Sequence, residues 1–315
     1  MDRTSAALAA LALFAAPGAL AQSYPERTVE IVVAATPGST ADLFGRILAD
    51  SLSQRLGQRF IILNKPGAAG VLGTAEVARA KPDGYTLLHG AAYSMTVQPL
   101  TDKQTGYSHK SFEPICQTFK NDQVIVARPD SPFNSAADLV RAAKAKPGGL
   151  NYGHPGLATI PHLAMTEFGQ LAKAEFNQIP FKGPPEAVQM THGGQIDFAA
   201  VPLPTAAASG LKMPGIFTSA RNPAISNVPT MREQGYDVAP LSFGAFVAPA
   251  GLPAEIKGKL AEGCEAAARS DAYVALARRS FQPADYYGDA ATLADNMEKD
   301  VAEKRRMLSS LGLMK

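Results

Sequence analysis

Residues 31–60 read IVVAATPGSTADLFGRILADSLSQRLGQRF, and the change of pattern within them decides the fold. Ile31 to Ala35 is an apolar run that stops at Thr36-Pro37-Gly38. Leu43, Ile47, Leu48, Leu52 and Leu56 then recur at helical spacing. A buried strand therefore meets a helix at a short loop of small residues. The first N–H groups of such a helix have no partner inside it, and its dipole is positive there. Pro37, Gly38, Ser39, Thr40 and Ala41 carry little bulk, so a carboxylate or phosphate could approach those donors closely. The plain alternative is an N-capped helix with water at its end.

The same alternation continues along the chain. RFIIL reads as a second strand after a helix over Thr40–Leu56 that ends at Gly57, a suitable C′ residue. NKPGAAG is a turn before a helix from Val71 to Ala80, and PDG is a turn before the strand YTLLHG. QVIVAR, FAAV, GIFTSA and FGAFVAP read as further strands. NSAADLVRAAKAKPG reads as a helix with Ser135 as N-cap and Gly148 after its end. The chain ends in helices from Pro253 to Arg269 and from Ala291 to Leu311. No internal repeat recurs at a fixed period. Alternating strands and helices predict an α/β protein with parallel sheets covered by helices. In such folds ligands sit at the carboxyl ends of strands, beside helix starts.

Ala7 to Leu20 is an apolar stretch that follows Arg3 and ends in Ala19-Leu20-Ala21, a small-x-small cleavage pattern. Residues 1–21 are expected to be a signal peptide, cleaved after Ala21, with the mature protein exported to the periplasm. About 290 mature residues suit two lobes rather than one small core. The formal net charge is +2, and no segment has the basic clustering that nucleic acid requires. The two cysteines, Cys116 and Cys264, have no metal-ligand spacing, and an oxidising compartment leaves both a disulfide and two buried thiols open.

Several segments coincide, in order, with one family. YPERTVEIVVAATPGSTAD resembles the opening of the Bug-type periplasmic solute receptors of tripartite tricarboxylate transport systems. LGQRFIILNKPGAAGVLGTAEVARAKPDGYTLLHG resembles that family's most recognisable block. AKPGGLNYG, FKGPPEAV, GGQIDF, NVPTMREQGY and FVAPAGLP match its later landmarks. The resemblance covers nearly the whole mature chain. It implies a two-lobed periplasmic-binding-protein fold, a Venus flytrap of type II with two crossing hinge strands. Lobe one would span 22–127 plus 246–315 and lobe two 128–245, with crossings near Ala127-Arg128 and Ala245-Phe246. Both cysteines then fall in lobe one, which favours their pairing.

The resemblance also implies a ligand pocket between the lobes. It would use Thr36, Pro37, Gly38, Ser39, Thr40, Ala41 and Asp42 from the first loop, and Ala92, Tyr93 and Ser94 from the same lobe. Lobe two would add His154, Gly156, Leu157, Ala158, Thr159, Phe181, Lys182 and Val201. The family's usual Gly-Gly-Gly-Thr-Asp loop is here Gly38-Ser39-Thr40-Ala41-Asp42. The lobe-two loop HPGLATIPH carries Leu157, Ile160 and Pro161 where polar residues are usual, and Val201 stands where many members have Asp. The expected ligand is therefore an organic carboxylate with an apolar body, such as an aromatic mono- or dicarboxylate. Its expected partners are membrane permease subunits, with the receptor a monomer.

Other readings of single residues are weaker. Asp42 facing an anion would repel it, so a structural role in the loop is expected. His154 and His162 lack a third metal partner at a recognisable spacing. NKPGAAGVLG lacks the G-x-G-x-x-G spacing of a dinucleotide loop and is read as a structural turn. Neither G-x-S-x-G nor H-E-x-x-H occurs. No cofactor, metal or catalysis is expected. The competing functions are an exported hydrolase using the same cleft and a ligand-sensing partner of a receptor kinase.

Overall fold

The computed structural model describes residues 24–284 and 286–314; the expected signal peptide lies outside them. The strands are β1 Val29–Val33, β2 Phe60–Asn64, β3 Thr86–Ala91, β4 Phe112–Lys120, β5 Gln123–Ala127, β6 Leu150–His154, β7 Phe176–Pro180, β8 Phe198–Pro202, β9 Lys212–Ile216 and β10 Phe243–Pro249. The helices before the middle of the chain are α1 Thr40–Leu56, α2 Val71–Ala78, α3 Tyr93–Thr96, α4 Gln98–Thr101 and α5 Ala136–Ala145. They are followed by α6 Ile160–Ala172, α7 Pro184–His192, α8 Leu203–Ala207, α9 Ala254–Ala268, α10 Asp271–Arg279 and α11 Ala290–Ser310.

Two five-stranded sheets result, ordered β2-β1-β3-β10-β4 and β7-β6-β8-β5-β9. In the first, β1 runs parallel to β2 and β3, while β10 is antiparallel to β3 and β4. Its central strands β1, β3 and β10 are buried on both faces over most of their length, which explains the apolar run that begins at Ile31. Ile31 packs with Leu48, Leu52, Leu260 and Cys264 on one side. Val32 packs with Val77, Leu88, Met95 and Met297 on the other. The second sheet is likewise covered on both faces. Ile125, Phe168 and Phe198 share one cluster, and Val124, Val188 and Val201 share another. This is the two-lobed α/β arrangement that the resemblance implies.

The crossings fall earlier than expected. Phe112–Lys120, with its Glu, Pro, Cys and Gln, gives no strand signal in sequence, yet it is the last outgoing strand of lobe one. QVIVA is already the fourth strand of the second sheet, so the chain crosses at Asn121-Asp122 rather than at Ala127-Arg128. All of β10 pairs in the first sheet, so the return precedes Phe243 rather than falling at Ala245-Phe246. The two crossings lie side by side. Asn121 N–H donates to Ser242 O at 3.1 Å and Asn121 Nδ2 to Ser242 Oγ at 2.9 Å. Cys116 on β4 and Cys264 on α9 form a disulfide across a separation of 148 residues. It joins the two halves of lobe one, between which lobe two is inserted.

Two buried polar devices hold the elements nearest the crossings. His89 on β3 is fully buried, with Nδ1 2.9 Å from Ala41 O and Nε2 2.8 Å from Thr118 Oγ1. It fixes the first turn of α1 to the sheet. The second device is on α11. Lys304 is 0% exposed; its Nζ lies 2.9 Å from Asp300 Oδ1, 2.6 Å from Glu303 Oε1 and 3.0 Å from Leu241 O. Thr96 Oγ1 donates to Asp300 Oδ2 at 2.6 Å, and Leu241 N–H to Glu303 Oε1 at 3.0 Å. One charged cluster therefore ties α11 to α3 and to the returning segment.

Two outcomes are expected. Removing one member of a buried ion pair leaves the other uncompensated, so Lys304→Met should lower unfolding free energy by about 3–5 kcal/mol in a denaturant titration. Burial pushes the His89 imidazole down from 6.5 to about 4. A depressed folded value means that stability is complete above pH 6.5 and is lost as pH falls towards 4, by about 3 kcal/mol for this group. NMR of the imidazole should show His89 neutral down to about pH 5.

Candidate functional site

The loop after β1 is built by short-range bonds. Ser39 is the N-cap of α1, its Oγ accepting from Asp42 N–H at 3.3 Å. Asp42 accepts from Gly38 N–H at 2.9 Å, from Arg46 Nη2 at 2.8 Å and from Asn64 Nδ2 at 3.0 Å. Burial raises the Asp42 carboxyl, but Arg46 and the Gly38 N–H outweigh it and hold the group below its ordinary value. Asp42 thus clamps the loop from behind. What the clamp leaves over faces the other lobe. The buried hydroxyls Thr36 Oγ1 and Thr40 Oγ1 have no hydrogen-bond partner among the described residues, and Thr40 is 3% exposed. Among the described residues the N–H groups of Thr40 and Ala41 also find no acceptor.

These donors open into a cavity between the lobes. Thr36, Ser39, Thr40, Ala41, Tyr93 and Ser94 form its lobe-one wall and Lys182-Gly183 part of the opposite wall. Internal space here is only about 60 Å³, whereas the adjoining outer cleft holds about 970 Å³. The site is therefore narrow near the crossings and wide at the rim. Gly156, Leu157, Ala158 and Phe181 line the outer cleft, and Thr36 and Lys182 line both spaces.

The lobes touch at several points. A Cβ on Gly183 would overlap Thr36 Oγ1, and one on Gly156 would lie 3.2 Å from Ala69 Cβ. Gln98 Nε2 donates to Leu157 O at 3.2 Å. Ala158, Ile160 and Leu163 of lobe two share an apolar cluster with Val97, Met307 and Leu308 of lobe one. The structure is thus of the closed arrangement.

Other residues expected at the site lie elsewhere. Pro37 and Gly38 are exposed on the outside of the loop. Ala92 is buried beside it, its N–H donated to Phe243 O, and Ala91 takes the place at the wall. Val201 is fully buried among Val124, Ala199 and Ile216, so the position that departs from the family pattern is core. His154 is also fully buried. Its Nε2 lies 3.0 Å from Gln178 Oε1, its Nδ1 2.8 Å from Gly156 O, and its ring stacks on His162 at 4.8 Å. It shapes the loop 154–159, as does Thr159, whose Oγ1 donates to Gly156 O at 2.7 Å. Burial pushes His154 down, and pushes His162 down to about 4 with the neighbouring His154 adding to it. The pair is neutral near pH 7.

The residues that sequence reasoning missed are mostly glycine and proline. Pro66, Gly67, Ala69 and Gly70 line the cavity, so NKPGAAG is a wall of the cleft as well as a turn. Four successive residues there, Gly67 to Gly70, have φ between +46° and +123°. The motif itself was visible in the sequence, but its proximity to Thr36 was not. Phe119 and Asn121 enter through the strand that sequence reading overlooked, and Pro155, Pro161, Pro184 and Pro202 face them from lobe two. Among the described residues no cluster of His, Cys, Asp and Glu could hold a metal ion. Nor is any described helix long and apolar enough to cross a membrane.

Comparison with known proteins agrees with this geometry. Residues 44–313 match the model of the tripartite tricarboxylate transporter family receptor. A Cupriavidus necator protein, named only as the UPF0065 protein in the gbd 5′ region, is 33% identical over 99% of this chain and 96% of its own. Among solved structures, the periplasmic binding protein BugD superposes with a TM-score of 0.85 at 27% identity, over 93% of this chain and 100% of that one. Rpa4515 of R. palustris, solved with adipate, gives 0.85 at 26% identity over 92% and 98%. With the family match running from the first helix to residue 313, and the same two-lobed fold, this protein belongs to the tripartite tricarboxylate transporter family of periplasmic solute-binding receptors.

Proposed function

We propose that this receptor captures an organic carboxylate with an apolar body in the cleft between its lobes. It acts in the periplasm as a monomer and delivers the acid to membrane permease subunits without altering it. The observation that carries this reading is the start of α1, where a buried Thr40 hydroxyl and two main-chain N–H groups face the cleft unpaired. A carboxylate is the simplest group that accepts from all of them and is favoured by the positive end of the helix dipole. The adipate held by Rpa4515 supports the same ligand class.

The magnitudes are adequate. Micromolar affinity corresponds to about 8 kcal/mol. A hydrogen bond to a charged group contributes about 1.5–3 kcal/mol. Four or five such bonds therefore suffice after the entropy of association, with no buried arginine. Lobe closure excludes water and strengthens each of them.

Thermal-shift screening against organic acids, followed by calorimetry, should yield a carboxylate ligand that is recovered unchanged after incubation. Hydrolysis of candidate esters would instead favour an enzyme. Thr40→Val keeps the shape of the side chain while removing its hydroxyl, and should weaken the best acid about tenfold. Gly183→Val should hold the lobes apart at Thr36, raising the radius of gyration in X-ray scattering and weakening binding by at least about tenfold, with the melting temperature of the unliganded protein little changed. Wild-type affinity in Gly183→Val would overturn the cleft as the binding site.

A further inference from the structure

We propose that the cleft seats one carboxylate only, so that the ligand is a monocarboxylic acid whose apolar body runs from the start of α1 towards the rim; this rests on the carboxylate reading above and narrows it. Charge inside the site is the first ground. Among the described residues Lys182 is the one charged residue lining the inner cavity, and no acidic residue lines it. It precedes Gly183, which sits against Thr36, so residue 182 lies on the wall that faces the unpaired donors of α1. Together they form one anion seat rather than two.

The second ground is the identity of the residues opposite. Helix starts on lobe two would be the natural donors for a second carboxylate, as α1 is for the first. Here proline occupies first-turn positions of both, which removes donors that α1 keeps. Pro161 stands in the first turn of α6 and Pro184 in that of α7, and both line the cavity. Leu203 N–H, at the end of β8, is already donated to Asp122 O at 2.8 Å. The outer cleft adds Leu157 and Phe181, and Asp102, its one acidic residue among those described, would repel a second carboxylate. Taking an ionised group out of water with no partner is unfavourable. A second carboxylate therefore weakens binding instead of strengthening it.

The test pairs acids of equal skeleton, hexanoate with adipate and benzoate with terephthalate, titrated calorimetrically into the wild type and Lys182→Met. In each pair the monoacid should bind at least about tenfold more tightly, and Lys182→Met should weaken it several-fold. Adipate or terephthalate binding as tightly as its partner would overturn the single seat while leaving carboxylate capture intact. So would a Lys182→Met effect confined to the diacids, because Lys182 would then hold a second carboxylate. Binding by none of the four acids, together with no shift for any acid in the thermal screen, would overturn both readings.

Discussion

The first turn of α1 makes more hydrogen-bond donors than the chain consumes. Ser39 and Asp42 satisfy the donors on the solvent side of the loop, with Asp42 locked by Gly38, Arg46 and Asn64. His89 pins the same turn to the sheet from within. What remains unpaired is displayed towards the other lobe at a fixed position. A rigid, desolvated set of donors is costly to leave empty. The rest of the molecule can be understood as the frame that places a second wall opposite that set.

The frame has an unusual distribution of restraints. Lobe one is assembled from two stretches separated by the whole of lobe two. Its halves are joined by the Cys116–Cys264 disulfide on one face of the sheet. On the opposite face, the Asp300–Lys304 pair joins α11 to Thr96 and Leu241. Lobe two hangs from two short crossings linked through Asn121 and Ser242. Strong restraints within lobe one and few at the crossings are what a closing cleft needs: one lobe stays the reference while the other swings.

Much of this was legible in the sequence and some was not. β1, α1 and β10 could be read because each is buried on both faces or has ordinary caps, so the apolar run or period was unbroken. The Thr36–Ala41 loop could be read because small residues between a strand and a helix have few other uses. β4 escaped notice because its polar residues Gln117 and Thr118 are buried by hydrogen bonds, not displayed to solvent, and losing it displaced the first crossing. The internal pairing of His154 is not legible in sequence because its partners, Gln178 and Gly156, are set by strand pairing between β6 and β7 and by a tight turn. The proline wall was present in the sequence residue by residue. That Pro155, Pro161, Pro184 and Pro202 meet in one place is a property of the second sheet's strand order.

The apolar cluster that joins Val97, Met307 and Leu308 to Ala158, Ile160 and Leu163 is built from the chain's own side chains. Part of the energy that keeps the jaws together is therefore intrinsic to the chain. Such a receptor spends less of its ligand's affinity on shutting, but it admits solute only during brief gaping. Entry and escape are both slowed, and cargo tends to stay aboard until something prises the halves apart.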